Sequence, residues 1–260
     1  MPRVVVVKGT DPFNMVRRGL SHFSPPSTRR VVLKPNLIID EPPPTTTPCE
    51  TVEALAAYFL EAGYEVVVAE GSGWCETFKA YERLGYLRLK ERYGVELVDL
   101  NNDGFELLRN PNALFLKEFE LPLTLKGAYV VSAPVLKEHS LTKVTLSLKN
   151  MLGATLGERA RVAKKGRFHR RLGESIVDVN LYVKPSLAVI DGRVAGLGGE
   201  LGARPKELGI MVFSEDLVAA DAVAASYLGK DPLKIRHLKL AQEAGLGVAD
   251  LRRIEVLSLE

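Results

Sequence analysis

The chain is short of several things that would mark it out from ordinary globular proteins. It has two cysteines in 260 residues, too few for a disulfide framework. Apolar runs such as Val4 to Val7 and Leu187 to Ile190 fall far below the ~20 residues that cross a bilayer. Met1-Pro2-Arg3 is followed by only four valines before Lys8, too little for the apolar region of a secretory leader, so a cytoplasmic location is expected. No low-complexity linker and no repeat at a fixed period interrupts the chain. With 46% apolar and 26% charged residues, a chain of this length can bury roughly three quarters of its unfolded surface, so the core can stand without staples.

A strong charge of one sign is also missing overall. The net charge is +3, yet Glu158 to Arg171 alone carries +6, which leaves the remainder at −3. The protein is thus a mildly acidic body with one basic segment. Repulsion among Arg159, Arg161, Lys164, Lys165, Arg167, Arg170 and Arg171, with Gly166 between them, predicts a mobile lid that orders over an anion. That segment offers only Phe168 for stacking on bases, so nucleic-acid binding through 158–171 is the weakest of the functional readings.

What the chain does have is alternation. Valine-rich segments at Val4 to Val7, Val31 to Leu33, Glu65 to Ala69 and Val95 to Val98 read as buried strands, with helical patterns between the later ones. Thr47-Pro48-Cys49-Glu50 reads as a capping box opening a helix through Val52, Leu55, Ala56, Phe59 and Leu60, with Gly63 as its left-handed stop. Further strands are expected at Ala128 to Ser132, Leu187 to Ile190, Gly209 to Phe213 and Ile254 to Leu257. Helices are expected through Ile176 to Tyr182, over Leu217 to Leu228 and over Leu233 to Ala244. The sum is an α/β fold: a mainly parallel sheet between helical layers, three layers in all, with a small excursion around 101–125 that holds a pair of short strands near Leu114 to Phe119. Residues 1–260 are expected to form one such domain, the alternative being a two-lobed split near 150–185.

Ligands of parallel sheets bind at the carboxyl ends of the strands. Three lysines are expected there: Lys34 in Lys34-Pro35-Asn36, Lys137 in a loop from Pro134 to His139, and Lys149 beside Asn150. Pro35 and Pro134 stiffen the local chain, and three clustered cations call for an anion. Gly71-Ser72-Gly73, between a strand and a helix, offers bare amides for a phosphate or carboxylate, although it is neither a Walker loop nor a dinucleotide fingerprint. Glu70 and Asp191 are candidate supporting carboxylates, and Asp221 is placed to orient a lysine. His139 and His169, each near cations, are candidate acid–base groups with Lys137 beside them; His22 and His237 fit solvent or local hydrogen bonding. No His-x-x-x-His or Glu-x-x-His pair suggests a metal site. Cys49 and Cys75 fall near helix starts, where a thiol is either activated or simply buried. Lys165 is expected to lie outside the pocket.

Taken in order, Lys34-Pro35-Asn36, Thr47-Pro48, Glu70-Gly71-Ser72-Gly73, Pro134-Val135-Leu136-Lys137 with His139, Ser147-Leu148-Lys149-Asn150, His169 with Glu174-Ser175-Ile176, and Asp191-Gly192 resemble the family catalogued as domain of unknown function 362. The resemblance covers nearly the whole chain and implies no established reaction. Many members carry an appended ferredoxin-type module, which implies redox chemistry somewhere in the family, but two cysteines cannot ligate even one cubane cluster here. The chain also departs from the usual Gly-Pro-x-x-Gly pattern at Gly198-Gly199-Glu200-Leu201-Gly202. Two readings lead from this point. One is an enzyme whose cleft binds a small carboxylate or phosphorylated molecule. The other is a redox component that works with a separate ferredoxin and a phosphate-bearing cofactor in the same cleft.

Overall fold

A strand that is valine at every position cannot leave one face in water, and the computed structural model, which describes residues 1–158 and 165–260, covers both faces. The first half runs β1 (Arg3–Lys8), α1 (Pro12–Leu20), β2 (Arg30–Pro35), α2 (Cys49–Glu61), β3 (Glu65–Glu70), α3 (Thr77–Arg83), α4 (Leu87–Tyr93) and β4 (Glu96–Asp99). Then come β5 (Phe105–Arg109), β6 (Glu118–Pro122), β7 (Tyr129–Ala133), β8 (Val135–His139), β9 (Lys143–Thr145) and α5 (Ser147–Asn150). The chain closes with α6 (Leu172–Val183), β10 (Leu187–Leu197), β11 (Arg204–Ser214), α7 (Leu217–Tyr227), α8 (Arg236–Glu243) and β12 (Glu255–Leu259).

The main sheet runs β12-β1-β11-β10-β7-β2-β3-β4. From β10 to β4 every neighbouring pair is parallel; β11 is antiparallel to both β1 and β10. Alternate residues then sort into two layers. Val5, Val7, Val31, Leu33, Val66, Val68 and Val131 pack with Met15, Val52, Leu55, Phe59 and Leu89 of α1, α2 and α4. Val4, Val6, Ala188, Ile190 and Val212 pack with α6, α7 and α8, and Val32, Val67 and Val130 meet Val179 and Tyr182 of α6. This is the expected three-layer arrangement.

Several local expectations need correction. Thr47 does not cap α2, which begins at Cys49 without a side-chain cap; its hydroxyl instead donates to the Ala133 carbonyl at 2.8 Å and accepts the Asn36 amide at 2.9 Å. A tie between two strand ends outcompetes the helix terminus because both ends are buried. The excursion is real, but its strands are β5 and β6, an antiparallel pair flanking the stretch where they were expected. Asp178 of α6 accepts the amides of Leu114, Phe115 and Leu116 and so holds that intervening stretch as a loop. The glycine-dense stretch 192–202 belongs mostly to β10 and the turn into β11. Residues 159–164 of the expected lid lie outside the described residues. Lys165 to Arg171 are a 3-10 turn over Gly166–Arg171 with Phe168 buried, packed in place as part of the wall.

The helix α1 carries a readable signature: Asp11 accepts the Phe13 and Asn14 amides ahead of Pro12. Its Gly19 sits face to face with Phe213 of β11, where an added Cβ would fall 2.5–2.6 Å from three ring atoms. Gly19→Ala is expected to cost about 1–3 kcal/mol through overpacking, despite alanine's better helix propensity. Urea denaturation checks this; an unchanged or raised midpoint would contradict it.

Candidate functional site

Parallel strands β2 and β3 end side by side and deliver Lys34 and Glu70 to one point. The two are fully buried and paired at 2.7 Å. Lys34 Nζ also donates to the Pro35 carbonyl at 2.7 Å and to Asn150 Oδ1 at 3.0 Å, so its three N–H bonds are all used inside the protein. Glu70 in turn accepts the amides of Leu37 and Gly71, each at 2.8 Å. Burial lowers the Lys34 pKa and the Glu70 charge opposes that shift. Gly153 packs against this pair so closely that a Cβ there would lie 2.6 Å from Lys34 Nζ. Lys34 is therefore a structural cation with no donor left for a ligand.

The expected amide cradle is occupied as well. Gly71 N bonds Glu70, Ser72 N bonds the Thr77 hydroxyl at 3.1 Å, and Gly73 N bonds the Ile38 carbonyl at 3.1 Å. The following helix starts only at Thr77. The backbone of Gly71-Ser72-Gly73 contributes wall and shape, not anion-binding donors.

Lys149 and Asn150 come from α5, a single turn whose position is fixed from α7. Asp221 accepts Ser147 N at 2.7 Å, the Ser147 hydroxyl, and Leu148 N at 3.0 Å. Asp221 thus holds the backbone of the turn that carries Lys149 and does not contact a lysine itself. Asn150 then anchors the next position, donating to the Lys34 carbonyl at 2.9 Å and to the Ser132 hydroxyl at 3.1 Å. Asn36 Nδ2 is 3.4 Å from Asn150 Oδ1, which leaves Asn36 Oδ1 buried and without a hydrogen-bond partner among the described residues. Lys149 is half-buried and faces the cleft, and its amine finds no hydrogen-bond acceptor among the described residues. Burial draws its pKa down to about 8, against the opposing charge of Glu200.

Lys137 arrives differently from expectation: the chain after Pro134 is strand β8, paired with the outer half of β10 and with β9. Gly196 permits that close approach, since a Cβ there would stand 2.9 Å from the Pro44 carbonyl and 3.0 Å from Lys137 Cβ. Lys137 Nζ donates to the carbonyls of Thr45 at 2.5 Å and Glu200 at 2.9 Å. Burial, reinforced by the Lys149 charge, lowers its pKa to about 7. Lys165 proves to be a cleft residue, a correction with a simple cause: the turn ending at Phe168 folds inward. Its amine donates to the Thr155 carbonyl and to the Thr155 hydroxyl at 3.0 Å, and burial lowers its pKa to about 7.

The two histidines take opposite roles. His139 Nδ1 accepts the amides of Leu141 at 3.1 Å and Thr142 at 3.3 Å, so the ring proton sits on Nε2. Burial and the nearby Lys149 charge push its pKa down to about 3, and the ring is a neutral donor rather than a free base. His169 Nδ1 lies 3.2 Å from the Lys165 carbonyl, an oxygen that can only accept, so Nδ1 is the donor in that contact and Nε2 is the ring nitrogen left for the cleft. Glu200, which the sequence did not single out, accepts from the amide of Ser140 at 3.1 Å and its hydroxyl at 2.8 Å. Burial raises its pKa, but these bonds and His139 outweigh it and bring it to about 2. The signal was the broken Gly-Pro-x-x-Gly pattern, where Glu200 sits in the β10–β11 turn.

Together Lys34, Asn36, Glu70, Lys137, His139, Lys149, Asn150, Lys165, His169 and Glu200 line a cleft of about 360 Å³ with Trp74, Ile38, Leu141 and Leu152 as apolar wall. Asp191 is not in it. Its carboxylate is buried against Arg193 at 2.9 Å and the Thr51 hydroxyl, beside a different depression. Cys49 and Cys75 are free and buried, and burial pushes their thiols up to about 12 and about 11, the opposite of activation. Among the described residues no three His, Cys, Asp or Glu side chains converge to hold a metal ion, and no helix is long and apolar enough to cross a membrane.

Residues 31–226 match the family described as Domain of unknown function (DUF362). The chain belongs to that family. The match runs from β2 to α7 and so takes in every lysine and both histidines of the cleft. A thylakoid-associated protein of Synechocystis sp. is 28% identical over 240 residues, covering 88% of this chain and 71% of its own length.

Proposed function

We propose that this DUF362 chain is an enzyme whose cleft takes a small carboxylate or phosphorylated molecule. The observation that supports this reading is a charge imbalance: Lys34, Lys137, Lys149 and Lys165 line the cleft against Glu70 and Glu200, and Lys34 and Glu70 cancel each other. Desolvated cations in surplus destabilise the protein until an anion joins them. Lys149, the third N–H of Lys137 and of Lys165, and Nε2–H of His139 are the donors available to such a ligand. His169 Nε2 is the proton acceptor. A cytoplasmic site of action belongs to this proposal; the Synechocystis relative is named as thylakoid-associated.

Thermal unfolding with inorganic phosphate and with citrate tests the reading. The protein is expected to be stabilised by at least one of them, and Lys149→Met is expected to abolish that gain while leaving the unliganded melting temperature equal or higher. A Lys149→Met protein that melts lower yet responds to both anions as before would refute it. Native mass spectrometry of the freshly purified protein separates the two leading readings, since a retained flavin-type chromophore would favour the redox one.

A further inference from the structure

The lysines of the cleft differ in what their nitrogens do. Lys34 has spent all three N–H bonds, and Lys137 and Lys165 have each spent two on fixed oxygens. Lys149 alone among these four has no acceptor among the described residues, although its backbone is held on both sides: Asp221 holds the turn before it and Asn150 the residue after it. An ammonium group wants acceptors, and a buried position that supplies none favours the neutral amine, against the opposing charge of Glu200. A neutral amine carries a lone pair, and here that lone pair opens onto the ligand space.

We propose that Lys149 is a nucleophile that condenses with the carbonyl carbon of a small oxo-carboxylate. This rests on the anion-binding reading of the same cleft and names its substrate class. The substrate carboxylate takes the remaining N–H of Lys137 and of Lys165. The nitrogen lone pair of Lys149 adds to the carbonyl carbon, and the C=O π pair moves to oxygen, which Nε2–H of His139 stabilises. One proton passes from nitrogen to that oxygen, with His169 Nε2 as the available carrier. The nitrogen lone pair then forms C=N as the C–O bond breaks and the hydroxyl leaves as water with a second proton, supplied from solvent through His169 Nε2, so that the imine on Lys149 keeps its N–H and is protonated. Amine plus carbonyl gives imine plus water, so no oxidant or reductant is required. The protonated imine draws electrons from the adjacent carbon, where bond-breaking would follow.

The test is reductive trapping. The protein is incubated with pyruvate or glyoxylate and sodium cyanoborohydride, and the adduct is located by peptide mass mapping. A single adduct on Lys149 is expected, lost in Lys149→Arg. That variant keeps a cation in the cleft, so it is expected to retain stabilisation by phosphate or citrate, which Lys149→Met loses. If neither oxo-acid labels Lys149 while the anions still stabilise the protein in a Lys149-dependent way, the nucleophile is refuted and the anion site stands. Labelling spread over surface lysines and unchanged in Lys149→Arg also refutes it. If there is neither labelling nor stabilisation, both readings fall.

Discussion

Glu70→Gln and Lys34→Met are each expected to destabilise the protein by about 3–5 kcal/mol, because each leaves the partner's charge buried and uncompensated. Both side chains are almost wholly enclosed, at 2% and 0% exposure, and neither has solvent to turn to. Gly153 closes over the pair, so relaxation is blocked on that side. The double variant Lys34→Met with Glu70→Gln removes both charges and is expected to recover a substantial part of the loss. Urea denaturation of the four proteins measures this coupling. If either single variant lost less than roughly 1 kcal/mol, or if the losses simply added, the pair would not be the structural keystone described here. Mutual repulsion of three clustered cations would by itself make loss of any one of them leave the fold as stable or more so. That expectation is transferred to Lys149, because only the structure shows which lysine is already neutralised.

Stability is expected to rise as pH increases from about 7 to about 8.5, by an amount on the order of 2 kcal/mol, before the buried thiols of Cys49 and Cys75, which the folded chain keeps protonated, oppose the trend. The sign follows from three depressed lysines: Lys137 at about 7, Lys165 at about 7 and Lys149 at about 8, all lowered first by burial. In this window the unfolded chain still holds these protons while the folded chain has released them. The unfolded state therefore binds more protons, and unfolding becomes harder with rising pH until the free thiol range is reached, where Cys49 and Cys75 begin to act in the opposite sense. The figure is far below the full sum of the shifts, since the window covers only part of the gap to the ordinary lysine range and all three amines face a cleft that solvent screens. Anion binding is expected to run the other way and weaken above about pH 8, because the ligand needs the protonated amines. Chemical denaturation at several pH values, with and without phosphate, reads both trends. A flat or falling stability between these limits, with the anion response unaltered, would mean that the lysines keep ordinary pKa values and the cleft is not desolvated.

The layered fold was legible in the sequence for a definite reason. A strand buried on both faces must be apolar at successive positions, and Val4 to Val7, Val31 to Leu33 and Val66 to Val68 carry that pattern without help from distant residues. The helices α2, α6 and α7 follow from spacing in the same way. That Lys34, Lys137 and Lys149 line one cleft agrees with the sequence expectation, but only Lys34 arrives there on a parallel strand end; Lys137 lies within β8 and Lys149 on α5. What each lysine does there was not legible. Its role depends on whether a carboxylate, a backbone carbonyl or empty cleft lies opposite its amine, and those partners come from elements 36 to 116 residues away for Lys34 and 63 to 92 for Lys137. The same holds for Thr47, drawn from its helix by Ala133, and for the Gly71 to Gly73 amides, which neighbouring strand ends had already claimed. Periodicity and spacing fix an element because its hydrogen bonds are local. A desolvated charge is decided by whatever the finished fold packs against it.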